Sequence, residues 1–106
     1  MKGYWSKQET AELRSRARTL LEEYGATQTD ETSWDEYLVQ TPLGPWHVYV
    51  FEDWIATRFE DVSRAKSRVG CNPYSGKWNF YALNDDLSEF LSDFESQTRR
   101  MMQIRP

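Results

Sequence analysis

Cysteine and histidine are nearly absent from this sequence, which contains only Cys71 and His47. A single thiol cannot form an internal disulfide, and a lone cysteine does not make a zinc site. Because paired cysteines belong to oxidising compartments, their absence favours the cytoplasm as the expected location. No run approaches about 18 apolar residues, so no membrane span is expected. The first residues are not followed by an apolar core, so no secretory signal is expected either.

The sequence also lacks an excess of positive charge, since 13 Lys and Arg residues against 17 Asp and Glu residues give a net charge of −4. Such a chain has no overall attraction for nucleic-acid phosphates or anionic lipids, and a basic partner surface is electrostatically easier. The five glycines are scattered, and they form neither a phosphate-binding loop nor a dinucleotide fingerprint. The acidic pairs lack the regular series of oxygen ligands of a calcium loop. We therefore expect no cofactor and no metal ion.

Aromatic side chains are abundant, with five Trp, six Tyr and five Phe among 106 residues. This apolar area suffices for the core of one domain that spans residues 1–106. Two segments show helical periodicity. The first begins with the capping-box spacing from Ser6 to Glu9 and ends at Gly25, and the last begins at Asn84 to Asp86. Their apolar faces consist of Leu13, Ala17, Leu20, Leu21 and Tyr24 in the first, and of Leu87, Phe90, Leu91, Phe94, Thr98 and Met101 in the last.

Between the two helices, apolar and polar residues alternate in the way that is typical of β-strands. Turn-forming residues separate the segments at 41–44, 52–53 and 72–76. Residues 26–33 predict a loop, and residues 61–69 predict an irregular basic segment with room for one helical turn. The predicted strands are Trp34–Thr41, Trp46–Phe51, Trp54–Glu60 and Lys77–Ala82. We therefore predict an α+β fold in the order α-β-β-β-β-α, a four-stranded antiparallel meander with both helices packed on one face.

The same alternation predicts which strand side chains face the helices. The inward set is Trp46, Val48, Ile55, Phe59, Trp78 and Phe80. The outward set is Tyr49, Trp54, Arg58, Lys77 and Tyr81. An open aromatic sheet face is typical of a protein interface or of a stacking platform for single-stranded bases. The other interpretation is that loops, the terminus with Tyr4 and Trp5, or a second copy of the chain covers this face.

The Gly44-Pro45-Trp46-His47 segment resembles the Gly-Pro-x-His segment that double-stranded RNA-binding domains carry between their first two strands. That resemblance implies a second helix that opens with a lysine cluster and grips phosphates. Here the corresponding helix opens with Asn84-Asp85-Asp86, which repels phosphates. We therefore carry no RNA-binding role over from that family.

The residues favour binding over catalysis. Cys71 and His47 are the single candidate nucleophile–base pair, and neither a glycine-rich elbow nor a helix start marks Cys71. We expect a non-enzymatic protein-binding module: an inhibitor, adaptor or accessory factor of the kind that small bacterial or phage genes encode. A single-stranded nucleic-acid binder is the alternative, and a small enzyme that uses Cys71 and His47 is the minor alternative.

The expected partner-binding residues lie on the outward face of the sheet and on the adjoining turn of residues 72–77. They are Tyr49, Trp54, Arg58, Tyr74, Lys77 and Tyr81. Aromatic and arginine side chains are the ones that most often dominate binding energy at interfaces. Lys77 also extends the one local concentration of positive charge, formed by Arg64, Lys66 and Arg68, which suits phosphate or an acidic partner surface. A protein partner is favoured, a second copy of the chain is a further candidate, a nucleic acid is less favoured, and no membrane is expected.

Overall fold

The computed structural model describes residues 5–31, 35–81 and 86–105. Within these ranges it contains three helices, α1 (Lys7–Glu23), α2 (Val62–Val69) and α3 (Leu87–Met102). The strands are β1 (Thr27–Glu31), β2 (Asp35–Thr41), β3 (Gly44–Val50), β4 (Trp54–Phe59) and β5 (Phe80–Tyr81). They form an antiparallel sheet in the order β1-β2-β3-β4-β5. The fold is therefore α+β, an antiparallel meander between an N-terminal and a C-terminal helix.

Helix α1 begins where the sequence predicts, at a reciprocal capping box. The Glu9 amide donates a hydrogen bond to Ser6 Oγ at 3.1 Å, and the Ser6 amide donates to Glu9 Oε1 at 3.0 Å. Two backbone donors that a helix start leaves unpaired are thereby satisfied. Four residues of the predicted apolar face are buried, Leu13, Ala17, Leu20 and Leu21, and the fifth, Tyr24, is the half-buried C-cap of the helix.

The sheet has five strands where the sequence predicts four, because residues 27–31 form an edge strand and not a loop. Their sequence, Thr-Gln-Thr-Asp-Glu, lacks the apolar alternation that predicts a strand. Polar contacts to β2 supplement the backbone ladder. Gln28 Nε2 donates to Asp35 Oδ1 at 3.2 Å, and Thr29 Oγ1 donates to Glu36 Oε2 at 2.7 Å. Trp34, the predicted first residue of β2, lies outside the described residues.

Helix α2 occupies the segment for which the sequence predicts irregular structure. Asp61 caps it, because the carboxylate accepts a hydrogen bond from the Arg64 amide at 3.0 Å. Ala65 is its one buried residue. The helix therefore has too short an apolar stripe to be predicted from periodicity.

The core lies between the sheet and the helices, and the predicted division of strand side chains is confirmed. The apolar residues that are at most 1% exposed on the central strands are Tyr37, Val39, Trp46, Val48, Val50, Ile55 and Phe59. Phe80 is also buried and Trp78 is half-buried. The rings of Trp46, Phe59 and Trp78 pack together with centroids 5.8 to 6.1 Å apart. An inward-facing aromatic cluster therefore forms the centre of the fold.

Helix α3 covers the β5 side of this core. Its predicted apolar face is confirmed, with Leu87, Phe90, Leu91, Phe94, Thr98 and Met101 buried. The Phe94 ring meets the Phe80 ring edge to face at 5.1 Å. Asp86 caps the helix start by accepting a hydrogen bond from the Glu89 amide at 2.8 Å. Burial of one helical stripe and a capped start account for this helix.

Strand β5 is shorter than the predicted strand Lys77–Ala82, because side chains replace part of its backbone pairing. Asn79 Oδ1 accepts a hydrogen bond from the Thr57 amide at 2.7 Å, and Thr57 Oγ1 donates to the Trp78 carbonyl. Regular pairing with β4 is left to the two residues of β5, with one isolated bridge before them. Ala82 lies outside the described residues.

Thr98 has a fully buried hydroxyl that makes no hydrogen bond within the described part of the chain. Because this group has lost its water without gaining a partner, Thr98→Val is expected to raise the free energy of unfolding by about 1 kcal/mol. Urea denaturation followed by circular dichroism measures the change, with the exposed Ser96→Ala on the same helix as the control. A loss of stability in Thr98→Val would show that the hydroxyl does have a partner.

Candidate functional site

The face of the sheet opposite the helices carries the side chains that alternate with the buried ones. We call it the helix-free face and define it by Leu38, His47, Tyr49, Trp54, Arg58, Lys77 and Tyr81. All are exposed or half-buried, and the five residues predicted to point outward are among them. The predicted Tyr74 lies on the adjoining turn. The structure thus brings five of the six expected partner-binding residues onto one face and the sixth to its border.

Three aromatic rings form a stack beside the turn between β3 and β4. The Phe51 and Trp54 rings are parallel within 10° at 4.7 Å, and the Trp54 and Tyr81 rings are parallel within 5° at 5.4 Å. Trp54 and Tyr81 are cross-strand partners. Trp54 therefore stacks with two other rings and is half-buried, whereas Tyr81 is 53% exposed. The surface that the stack exposes to solvent therefore consists of ring edges and of the exposed part of Tyr81.

The turn before β5 carries Tyr74, which is 93% exposed. Asn72 organises this turn, because its Oδ1 accepts a hydrogen bond from the Tyr74 amide at 2.9 Å and its carbonyl accepts one from the Gly76 amide at 2.9 Å. The Gly76 carbonyl in turn accepts a hydrogen bond from the Phe59 amide at 3.1 Å. The turn predicted at residues 72–76 is thus confirmed, and it is fixed against the end of β4.

Arg58 and Lys77 lie opposite each other on the helix-free face, in an isolated antiparallel bridge. The backbone hydrogen bonds beside this bridge, at 3.1 and 3.2 Å, join the neighbouring residues and not the two partners themselves. This is the non-hydrogen-bonded type of pair, in which cross-strand side chains come closest. Neither cation forms an ion pair with any carboxylate of the described ranges.

His47 is the partner of Arg58 on the adjacent strand β3, and it is already paired. Its Nε2 lies 2.7 Å from Glu60 Oε1. Glu60 follows Arg58 by two residues yet contacts His47 instead. On the helix-free face, the His47–Glu60 pair therefore lies beside two cations that have no carboxylate partner in the part of the chain that the structure describes.

Sequence reasoning did not include Phe51 and Glu60 among the candidate residues. Phe51 completes the aromatic stack, and Glu60 occupies His47. A signal for Phe51 existed, since aromatic residues flank the two-residue turn Glu52–Asp53 and a tight hairpin brings such neighbours together. The contact of Glu60 has no comparable signal, because it depends on side-chain conformation.

Cys71 and His47 are not brought together. Cys71 is 5% exposed and belongs to the core cluster, whereas His47 lies on the helix-free face. Burial raises the pKa of the Cys71 thiol, and a raised pKa disfavours the nucleophilic thiolate. The geometry gives no support to a nucleophile–base pair.

A groove of about 610 Å³ lies between α1 and α3. Its arginines are paired with carboxylates of the same helices, Arg16 with Glu12 at 3.7 Å and Arg99 with Glu95 at 3.1 Å. Arg99 also donates to Glu23 at 2.9 Å, and this contact raises the pKa of Arg99 and lowers that of Glu23. The Arg99–Glu23 contact joins α3 to α1, whereas the other two ion pairs lie within one helix each.

Comparisons with protein-family models, with curated proteins and with solved structures found no match to this chain. None of the helices in the described ranges is both long enough and apolar enough to cross a membrane. Those ranges also contain no group of three or more His, Cys, Asp and Glu side chains placed to hold a metal ion. The helix-free face is therefore the candidate site on its geometry and charge.

Proposed function

We propose that this chain is a non-enzymatic protein-binding module, an inhibitor, adaptor or accessory factor, and that it contacts a protein partner through its helix-free face. The observation that supports the proposal is that the helix-free face combines the exposed Tyr81 and the half-buried Tyr49 with two cations that make no ion pair within the described residues. Burial of such rings in a complex is favourable by about 25 cal/mol per Å². Tyrosine and arginine are also frequent among the residues that dominate interface energies. By charge complementarity, Arg58 and Lys77 favour a partner surface with acidic side chains among its apolar ones.

A single-stranded nucleic acid is the alternative occupant, since cations beside planar rings are what single-strand binders use. The ring geometry offers a base little of Trp54, because this ring already stacks with Phe51 and Tyr81, and the exposed ring of Tyr81 is what the stack leaves for a base. The net charge of −4 also opposes a polyanion. A salt titration separates the two functions, because nucleic-acid affinity falls steeply with salt and an apolar protein interface responds much less.

A small enzyme that uses Cys71 and His47 is the minor alternative. It requires a rearrangement that exposes the thiol and brings it to the imidazole. Loss of cellular activity in both Cys71→Ser and His47→Ala, with folding and partner affinity preserved, would favour this alternative over a binding module.

Tyr81→Ala is expected to weaken partner binding by about tenfold or more. Since Tyr81 is half exposed, the same change is expected to lower the free energy of unfolding by less than about 1 kcal/mol. The partner is captured from a lysate of the native host, identified, purified and titrated calorimetrically against both proteins. Tyr49→Ala and Tyr74→Ala extend the test across the face. Trp54→Ala is less informative, because loss of the central ring of the stack also affects stability.

Asp93→Ala is the matched control, since Asp93 is exposed on α3 in the helical layer. Its partner affinity is expected to equal that of the wild type. Binding lost in Asp93→Ala and kept in Tyr81→Ala would place the interface on the helices and contradict the proposal. A wild-type dimer that becomes monomeric in Tyr81→Ala would show that a second copy of the chain occupies the face in place of a separate partner.

A further inference from the structure

We infer that Arg58 and Lys77 form a subsite for a carboxylate from an acidic segment of the partner protein. The inference rests on the proposed protein-binding function and adds the chemistry of the partner. The two cations oppose each other in the closest type of cross-strand pair. Like charges directly opposite each other destabilise a sheet. A carboxylate between them replaces this repulsion with two attractions.

Three carboxylates of the neighbouring segments form hydrogen bonds or contacts with other groups and not with this pair. Glu60 contacts His47 at 2.7 Å, Glu36 accepts a hydrogen bond from Thr29 at 2.7 Å, and Asp61 caps α2. Four other arginines do have carboxylate partners: Arg14, Arg16, Arg64 and Arg99. Other cations of the described residues, such as Arg68 and Arg100, also have no ion pair, so it is their direct opposition across two strands that sets Arg58 and Lys77 apart. No carboxylate of residues 5–31, 35–81 and 86–105 forms an ion pair with either of them, which leaves the position open to a carboxylate of a partner.

The surroundings favour an isolated carboxylate over a polyanion. Glu60 is half exposed beside His47, and Glu36 is half-buried on the same side of the sheet. A phosphate backbone that crossed the face would meet these negative charges. An acidic side chain flanked by apolar residues would instead place its carboxylate at Arg58 and those apolar residues against the tyrosines. The planar guanidinium matches the geometry of a carboxylate.

Lys77→Glu tests the subsite through the stability of the free protein. A glutamate opposite Arg58 converts repulsion into an ion pair, so the melting temperature is expected to rise by about 2–6 °C. Lys77→Gln removes the repulsion alone and is expected to give a smaller rise. An unchanged or lower melting temperature in both variants would show that the two cations do not repel, and it would overturn the inference.

The binding test uses the peptide acetyl-Leu-Glu-Glu-Leu-amide and its counterpart with glutamine in place of glutamate. In ¹H–¹⁵N spectra of the full chain, the acidic peptide is expected to shift the signals of Arg58 and Lys77 with millimolar affinity. Lys77→Glu and Lys77→Gln are expected to lose about tenfold or more of this affinity. Arg100→Glu has the same change in net charge as Lys77→Glu, but it lies on α3, and it is expected to stay within about twofold of the wild type.

Equal affinity for the two peptides, or full affinity in both Lys77 variants, would overturn the carboxylate subsite. The proposed function is judged separately by Tyr81→Ala and the purified partner. A partner that requires Tyr81 but tolerates Lys77→Glu would therefore refute the subsite and leave the protein-binding face standing. Tighter, salt-sensitive binding of oligothymidylate at Arg58 and Lys77 would assign the pair to phosphate and overturn both.

Discussion

Phe94→Ala is expected to lower the free energy of unfolding by about 3–5 kcal/mol. Phe94 is 1% exposed, and its ring joins α3 to the sheet through the contact with Phe80 at 5.1 Å. Truncation leaves a cavity between helix and sheet and removes a large apolar area from the core. A domain of this size has a total stability of about 5–15 kcal/mol, so the loss is a large fraction of it. Urea denaturation followed by far-ultraviolet circular dichroism measures the change.

Ser92→Ala is the control on the same helix, because Ser92 is exposed. Its effect is expected to stay within about 0.5 kcal/mol. If Phe94→Ala cost less than about 1 kcal/mol, α3 would not pack against β5 as the structure has it, and the division into a covered and a helix-free face would lose its basis.

The elements that sequence analysis predicts are those with a strong local pattern. Helix α3 has a continuous apolar stripe, and β2 to β4 alternate cleanly between buried and partly exposed residues. The elements that it misses obtain their order from contacts distant in sequence. Strand β1 is polar and is held by its pairing with β2, and α2 buries only Ala65. Strand β5 is shortened because Thr57 forms hydrogen bonds with Trp78 and Asn79, the two residues that precede the strand.

The outward position of Tyr49, Trp54, Arg58, Lys77 and Tyr81 was predictable, because alternation within a strand assigns its two faces. The direct opposition of Arg58 and Lys77 was not predictable. It depends on the register between two segments that are separated by α2 and a turn, and a slip of one residue changes every opposing pair. The position of Arg58 opposite Lys77 also changes the charge that we expect of the partner surface, from basic to acidic. The net charge of −4 favours a basic partner, but screening over about 10 Å gives the local cations more weight at their own face.

Gly76→Ala is expected to lower the free energy of unfolding by about 2–4 kcal/mol and to weaken binding at the helix-free face. Gly76 has a left-handed φ of 69°, and an added Cβ would lie 2.7 Å from the carbonyl oxygen of Phe59 and 3.0 Å from Val62. Since the first obstacle is the backbone of β4, the turn has to move away from that strand. Tyr74 and Lys77 move with it. Urea denaturation and titration with the acidic peptide measure the two effects.

Gly25→Ala is the matched control, because Gly25 has a similar φ of 78° but no atom within 4 Å of an added Cβ. It is expected to cost about 1 kcal/mol, the strain of a left-handed alanine alone. The difference between the two glycine variants therefore measures how closely the turn is held against β4. In the folded Gly76→Ala protein, the amide signals of Arg58 and Lys77 are expected to shift, because the bridge between them is disturbed. Equal losses of stability in both variants, with those signals unchanged, would show that the turn does not set the position of Lys77 opposite Arg58.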